Sequence, residues 1–486
     1  MTVSTFSLLL AALGTALTLG LFALIGYLYG DRAHIFFANR SLKSPQIRAN
    51  AAATGTSLAG VLLFFFTTTP AFGWIILLVP IFSALGIFLF IELAKPFKPS
   101  PAETGSILRL LHWHTASPYI SRAANFVVLV NLAFIFVIEV VIGAQIFDYF
   151  APQYPFFKIV AILVMCSVMI FYVLIGGFAA VSHSDLWQLG LVMIALFLTT
   201  LTLGILFVDS NHTAAEFLSV FKNPKFPVEF QVSFLVNMVF VNIALPITQV
   251  STWQRYSSAV SQQEAFQGLK TAIIWRMLPI WFGAITCSAF YYVIKGDAPT
   301  FPLLFDMLRT SGAWGALIVF PVLFVGLVAA LISTADSLMI AVMLAVDDAR
   351  RKLTDRQEQA EQKFEWEISA HSGLIRVAIE LVLVAIIIQL LLQLSPDDER
   401  TIVQLLFAGY GLSLVILPVI AFSCLWPKIA LNDKPVVYGL WVGFFILGSS
   451  AIYSIWTGNY LGTHLGPVAG AFAAAVGVHL GVRREA

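Results

Sequence analysis

Three carboxylates lie in stretches too apolar to need them for solubility. Glu139 sits in FIFVIEVVIGAQIF, Asp185 in VSHSDLWQ and Asp336 in LISTADSLMI. A charged side chain in hydrocarbon is costly and marks a pathway for ions, protons or polar solutes. A lone carboxylate there would be protonated, paired or bound to a cation. Asp336 has hydroxyls beside it, because Ser333, Thr334 and Ser337 fall within five residues. Ser333 and Ser337 share a helical face at i, i+4. Hard cations such as Na+ are best served by several oxygens, so the cluster is a candidate cation site. The competing account is that Ser and Thr bond to the carbonyl four residues back and only let helices approach. Glu139 stays open between a substrate contact, a proton site and a buried structural hydrogen bond. Glu380 follows Arg376 by four residues, and a helical ion pair explains it more simply.

The elements that hold these groups follow from composition. Of 486 residues, 59% are hydrophobic and 11% are charged. Soluble domains carry about 25% charge, so the chain reads as an all-α polytopic membrane protein. The 26 acidic and 27 basic residues nearly cancel, and nothing points to nucleic acid. Cys166, Cys287 and Cys424 all lie in apolar runs and read as small buried hydrophobes. A bilayer helix needs about 20 apolar residues. Thirteen spans fit, at roughly 7–29, 49–69, 72–94, 123–147, 157–177, 184–208, 230–251, 272–294, 312–345, 374–394, 401–424, 436–456 and 464–482.

With the N-terminus outside and the C-terminus inside, the outer basic residues are Lys158, Lys222, Lys225, Lys295, Arg309 and Arg400. The other 21 of the 27 fall on the inner side, as the positive-inside rule requires. Asp336 then lies about 16 Å from Asp347 at the inner end of the ninth span, well within the hydrocarbon. The whole chain, 1–486, reads as one membrane transporter domain. The charged stretch 346–373 reads as a cytoplasmic loop with a short surface helix. The lean loops fit a bacterial inner membrane.

Two spans look interrupted. The second, ANAAATGTSLAGVLLFFF, carries the poor helix formers Thr54 to Ser57 and Gly60 at its centre. The seventh, QVSFLVNMVFVNIALPITQ, carries Asn237, Asn242 and Pro246. Breaks at corresponding places in two halves point to a transporter site, where freed carbonyls and half-helix ends meet a cation and a polar solute. Spans 2–6 (49–208) and 7–11 (230–424) hold five helices each, so the second set would run inverted relative to the first. A tight glycine crossing and an ordinary proline kink would explain either break alone.

At these residues the chain resembles the sodium:solute symporter family of proline, pantothenate and sugar symporters. ANRSL (38–42), GGFAAVSHSDLWQ (176–188), WQRYSSAVSQQEAFQG (253–268) and ISTADSLM (332–339) are similar to family motifs. The resemblance implies a leucine-transporter-type core of five plus five helices in inverted repeat, and Na+-coupled uptake. It implies a Na+ site of the Ala53, Thr56 and Ala330 carbonyls with the Ser333 and Thr334 hydroxyls. Asp185 matches an acidic residue of a second cation site or of coupling, where Asp336 and Ser337 are further candidates. The departures are His183-Ser184 in place of a common Trp-Thr, Gln249 where Asp or Asn is frequent, and Thr56 where a larger apolar residue is usual.

The expected function is Na+-coupled symport of a small polar solute. The solute would lie beside Gly55, Ser57, Gly60, Asn237 and Asn242, with Glu139 as a candidate contact. A proton-coupled carrier of the same fold is the nearest alternative, which His183 keeps open because an unperturbed imidazole titrates near neutral pH. A solute sensor is another, which would need an unknown partner at 346–373. No Walker A loop, His-Glu-x-x-His or nucleophile elbow is present, so the chain does not read as an enzyme.

Overall fold

The computed structural model describes residues 3–29, 36–100, 104–115, 117–150, 154, 156–350, 368–393, 398–427 and 429–482. These residues are helical apart from turns and two isolated β-bridges. Helix α1 (Val3–Leu28) is the first span. The second is α2 (Ser44–Thr54), a π-helical turn (Leu58–Leu63) and α3 (Phe64–Phe72). Helix α4 (Leu78–Ala94) returns, and a short α5 (Ile107–Thr115) leads to α6 (Pro118–Asp148). Then follow α7 (Phe157–Asp209), the connecting helix α8 (Ala214–Lys222), α9 (Val228–Thr248) and α10 (Val250–Ser258). Helices α11 (Gln262–Ala272) and α12 (Leu278–Lys295) form one span through a π turn. The chain ends with α13 (Phe301–Thr310), α14 (Phe320–Arg350), α15 (Ile368–Gln393), α16 (Asp398–Leu425), α17 (Asp433–Thr457) and α18 (Leu461–Gly481).

Ten stretches among the described residues are long and apolar enough to cross a membrane. Two of them hold two crossings each. Leu58–Ala94 turns through the 3-10 segment Gly73–Leu77, where Gly73 adopts φ +59° and packs against the Phe221 carbonyl. The 53 residues of α7 would stretch about 80 Å as one rod, against a hydrocarbon layer of about 30 Å. Gly177, with φ +59° and ψ −162°, breaks α7 instead. Those ten stretches thus give twelve crossings among the described residues, the 26-residue α15 would be a thirteenth, and the chain is a polytopic membrane protein of the expected fold class.

Helix α14 is the axis of the bundle. Its residues from Gly326 to Ala345 are all buried, as in a helix packed all round. Val325 meets Gly14 of α1, Gly326 meets Ala195 of α7, and Leu331 meets Gly143 of α6. The free cysteines Cys166, Cys287 and Cys424 are buried within the bundle. Of the charged loop read at 346–373, residues 351–367 lie outside the described residues.

The seventh span differs from expectation. Asn237, Asn242 and Pro246 all sit inside a continuous α9, and the break falls at Gln249, whose ψ of 124° is extended. Proline cannot donate to the carbonyl four residues back. The Asn242 carbonyl so released lies against Gly86 of α4, where an added Cβ would come within 2.6 Å of it. The packing of α4 therefore accommodates the proline, and the helix runs on for two more residues.

Candidate functional site

The second span opens at Gly55–Ser57. Helix α2 ends at Thr54, and Ser57 is extended at ψ 149°. Carbonyls at such an opening leave the i→i−4 ladder. The Gly55 carbonyl accepts from Trp281 Nε1 at 2.9 Å. The outer half begins under two caps. Ser57 Oγ accepts from Gly60 N at 2.8 Å, and Glu139 of α6 accepts from Ala59 N at 3.1 Å and Gly60 N at 3.4 Å. A carboxylate at a helix N-terminus meets both free N–H groups and the positive end of the dipole. The structure thus puts Glu139 behind the opening, outside the cavity lining.

The inner half of the span faces α14 and α7. Ala53, Thr56 and Ala330 are buried, and the Thr56 hydroxyl is occupied by the Ala52 carbonyl at 2.6 Å. Ser333 donates to Asp185 Oδ1 at 2.6 Å, and Thr54 donates to Ser337 at 3.1 Å. The Thr334 hydroxyl is buried without a hydrogen-bond partner among the described residues. Asp336 is fully buried and makes no hydrogen bond of ordinary geometry among the described residues. Helices α2, α7 and α14 are thus joined along one seam, at Thr54 and Ser337 and at Asp185 and Ser333.

Arg255 extends the seam, although the sequence placed it as an inner-side charge within the 253–268 motif and gave it no role. Helix α10 is buried along its length, and Arg255 is 3% exposed. Its Nε donates to Asn50 Oδ1, and its Nη2 donates to Thr54 at 2.6 Å. Asn50 donates in turn to Asp185 Oδ2 at 2.5 Å. Asn50, a lone amide in an alanine-rich stretch, was the available signal. Gln188, one helical turn beyond Asp185, is buried with neither amide atom paired. Leu42 and Ala259 form a β-bridge nearby, with Leu42 N donating to Ser258 O at 3.1 Å. All four motif stretches thus converge on the inner half of the molecule.

A cavity lies beside the opening. Gly55, Ser57 and Gly60 line one wall, and Asn237, Met238, Val241 and Asn242 of α9 line another. Trp281, Phe407 and Tyr410 contribute from α12 and α16. The Gly60 backbone packs on the Tyr410 hydroxyl so closely that a Cβ has no room. Toward the expected outer side the cavity ends in rings. Phe234 stacks on Phe72 at 3.7 Å, and Phe64, Phe407 and His464 close around them at 5.0–6.3 Å. Arg255 and Thr252 line its inner end. The arrangement is a cavity held between an aromatic barrier and a polar one.

No family model and no curated protein matches the amino-acid sequence. Solved structures do match by fold. A Na+-coupled sialic acid symporter in a substrate-bound, outward-open state has a TM-score of 0.69 at 15% identity, covering 98% of this chain and 99% of that one. Mhp1, a nucleobase-cation-symport-1 family transporter in a closed conformation with bromovinylhydantoin bound, scores 0.56 at 15% identity over 92% and 93% of the two chains. MhsT in complex with L-phenylalanine scores 0.55 at 17% identity over 90% and 97%. The chain therefore has the transporter fold of these proteins, with a core of the leucine-transporter type.

Proposed function

We propose that this chain is a secondary active transporter of the sodium:solute symporter type, which couples Na+ to the uptake of a small solute across the plasma membrane. One observation carries the reading. Helix α2, which leads into the opening, is tied to α14 through Thr54 and Ser337 at 3.1 Å and through Asp185, which accepts from Asn50 at 2.5 Å and from Ser333 at 2.6 Å. That juxtaposition gathers carbonyls, hydroxyls and an anion, the donor set suited to a hard cation. The unpaired Thr334 hydroxyl fits such an occupant.

The carbonyls of Ala53, Thr56 and Ala330 and the hydroxyls of Ser333 and Thr334 would hold the ion. Asp185, Asp336 and Ser337 would serve a second cation or the coupling step. Na+ would fasten α2 to α14 and favour the outward-facing arrangement, with solute bound in the adjoining cavity. Loss of Na+ to the inner side would loosen the seam and let the two halves, 49–208 and 230–424, rock past each other. That the fold neighbours include Na+-coupled symporters supports this reading.

One observation favours proton coupling as a second reading. Asp336 is deeply buried, with no hydrogen bond of ordinary geometry to either oxygen among the described residues, a setting in which a carboxyl can carry a proton. Thermal unfolding of the purified protein in NaCl and in choline chloride at fixed pH separates the two. A ligand that binds only the folded state stabilises it. A Na+-specific shift that Ser333→Ala/Thr334→Ala abolishes is the expected result. The absence of any shift in the wild type would overturn Na+ coupling and leave the proton as the driving ion.

A further inference from the structure

The cavity wall holds one polar side chain with nothing to bind. Asn237 is 0% exposed, and neither its carbonyl oxygen nor its amide nitrogen has a partner among the described residues. A buried amide left unpaired costs free energy that native structures rarely tolerate without cause. Asn242, Trp281 and Thr54, which line the same cavity, are engaged. Asn242 donates to the Met238 carbonyl at 2.8 Å and accepts from Ser83 at 2.5 Å. Trp281 donates to Gly55, and Thr54 is held between Arg255 and Ser337.

Charge restricts the occupant further. No carboxylate lines the cavity, and both oxygens of nearby Glu139 face the N–H groups of Ala59 and Gly60. An ammonium would find no counter-ion. Arg255 lines the inner end, but its guanidinium is tied to Asn50 and Thr54, and Asp185 supplies an opposing charge. An additional anion would not be matched. The walls around Asn237 include Phe64, Phe407, Met238 and Val241, which suit an apolar body, while Gln249 and Thr252 join Arg255 in the lining.

Resting on the reading of this cavity as the transport site, we propose that its solute is a neutral amphipathic amide, which sets an adjacent N–H and C=O against Asn237 and its apolar body against the aromatic wall. A carboxamide presents a donor and an acceptor side by side, and only another donor–acceptor edge satisfies both. A carboxylate accepts only and an ammonium donates only, so each leaves half of Asn237 unpaired. The small polar solute expected from sequence thus becomes a solute that is polar along one edge alone.

Four probes with matched or contrasting chemistry test this on the purified full chain by thermal unfolding: phenylacetamide, phenylacetate, phenethylamine and galactose. Each is titrated in NaCl and in choline chloride, on wild type and on Asn237→Leu. Leucine has a similar shape and removes the unpaired amide, so the variant should fold with stability equal to or above wild type. Phenylacetamide is expected to stabilise the wild type at concentrations at least tenfold below the other three, and Asn237→Leu is expected to lose that preference. Equal or better stabilisation by phenylacetate, phenethylamine or galactose overturns the assignment. So does a missing phenylacetamide shift in both salts, or one that survives in Asn237→Leu. Na+ coupling is judged separately, by the response to NaCl alone, so either reading can fail without the other.

Discussion

Asn50 donates to Asp185 at 2.5 Å, joining residues 135 positions apart and completing a chain from Arg255 to Ser333. The chain passes through α10, α2, α7 and α14, so one buried carboxylate couples four elements. Removing one partner of a buried charge pair costs about 3–5 kcal/mol, because the other charge is left uncompensated. Asp185→Asn should therefore lower the unfolding temperature strongly. Asp185→Asn/Arg255→Met should recover part of the loss, since the stranded guanidinium goes too. Thermal unfolding of the wild type, the two single variants and the double variant measures the coupling. Additive single effects would contradict the linkage drawn here.

Ser333 and Thr334 are neighbours with different obligations. Ser333 already serves Asp185, whereas the Thr334 hydroxyl has no partner among the described residues. Thr334→Val should leave the fold as stable as wild type in choline chloride and weaken the Na+ response about tenfold. That is the order of one hydrogen-bond-strength contact to a charge. Ser333→Ala should lower stability in both salts, because it also strips a donor from Asp185. A Thr334→Val protein with an unchanged Na+ midpoint would remove Thr334 from the cation site.

Gly86 marks the closest approach of α4 to α9. A Cβ there would lie 2.6 Å from the Asn242 oxygen and 2.8 Å from the Ile243 oxygen, both backbone atoms that cannot rotate away. Gly86→Ala should cost about 1–3 kcal/mol by overpacking. Gly190→Ala is the control, since nothing lies within 4 Å of its Cβ position. A Gly86→Ala protein that unfolds at the Gly190→Ala temperature would show that the two helices separate freely.

The spans were legible because a bilayer imposes a length and an apolarity that survive without tertiary knowledge. The opening at Gly55–Ser57 was legible too, since Thr, Gly and Ser are poor helix formers in any surrounding. The seventh span misled because Pro246 carries the same local signal at every site, while its effect depends on whether a partner such as Gly86 takes up the released carbonyl. Arg255 read as one more inner charge for a related reason. Its hydrogen-bonding partners Asn50 and Thr54 lie about 200 positions earlier, and no periodicity within 253–268 announces them. Asn237 was picked out by residue type, but its unpaired state exists only in the packed cavity.

Glu139 was undecided in the sequence for the same reason, its contacts being 80 and 79 positions away at Ala59 and Gly60. The two bonds make it a cap on the outer half of the broken span, and that role has a signature distinct from solute contact. Glu139→Ala strands the Ala59 N–H, while Gly60 N keeps its bond to Ser57 Oγ, and should cost about 1–2 kcal/mol, the usual range for a lost N-terminal cap. Glu139→Gln keeps one acceptor oxygen but turns an NH2 toward the other N–H, so its stability should fall between alanine and wild type. Because the cap fixes the segment that carries the Thr56 carbonyl, the Na+ midpoint should rise in the same order. Solute preference among the four probes should not change, since Glu139 does not line the cavity. A Glu139→Gln protein of wild-type stability that had lost its solute response would instead place the carboxylate on the solute, and the cap would be incidental.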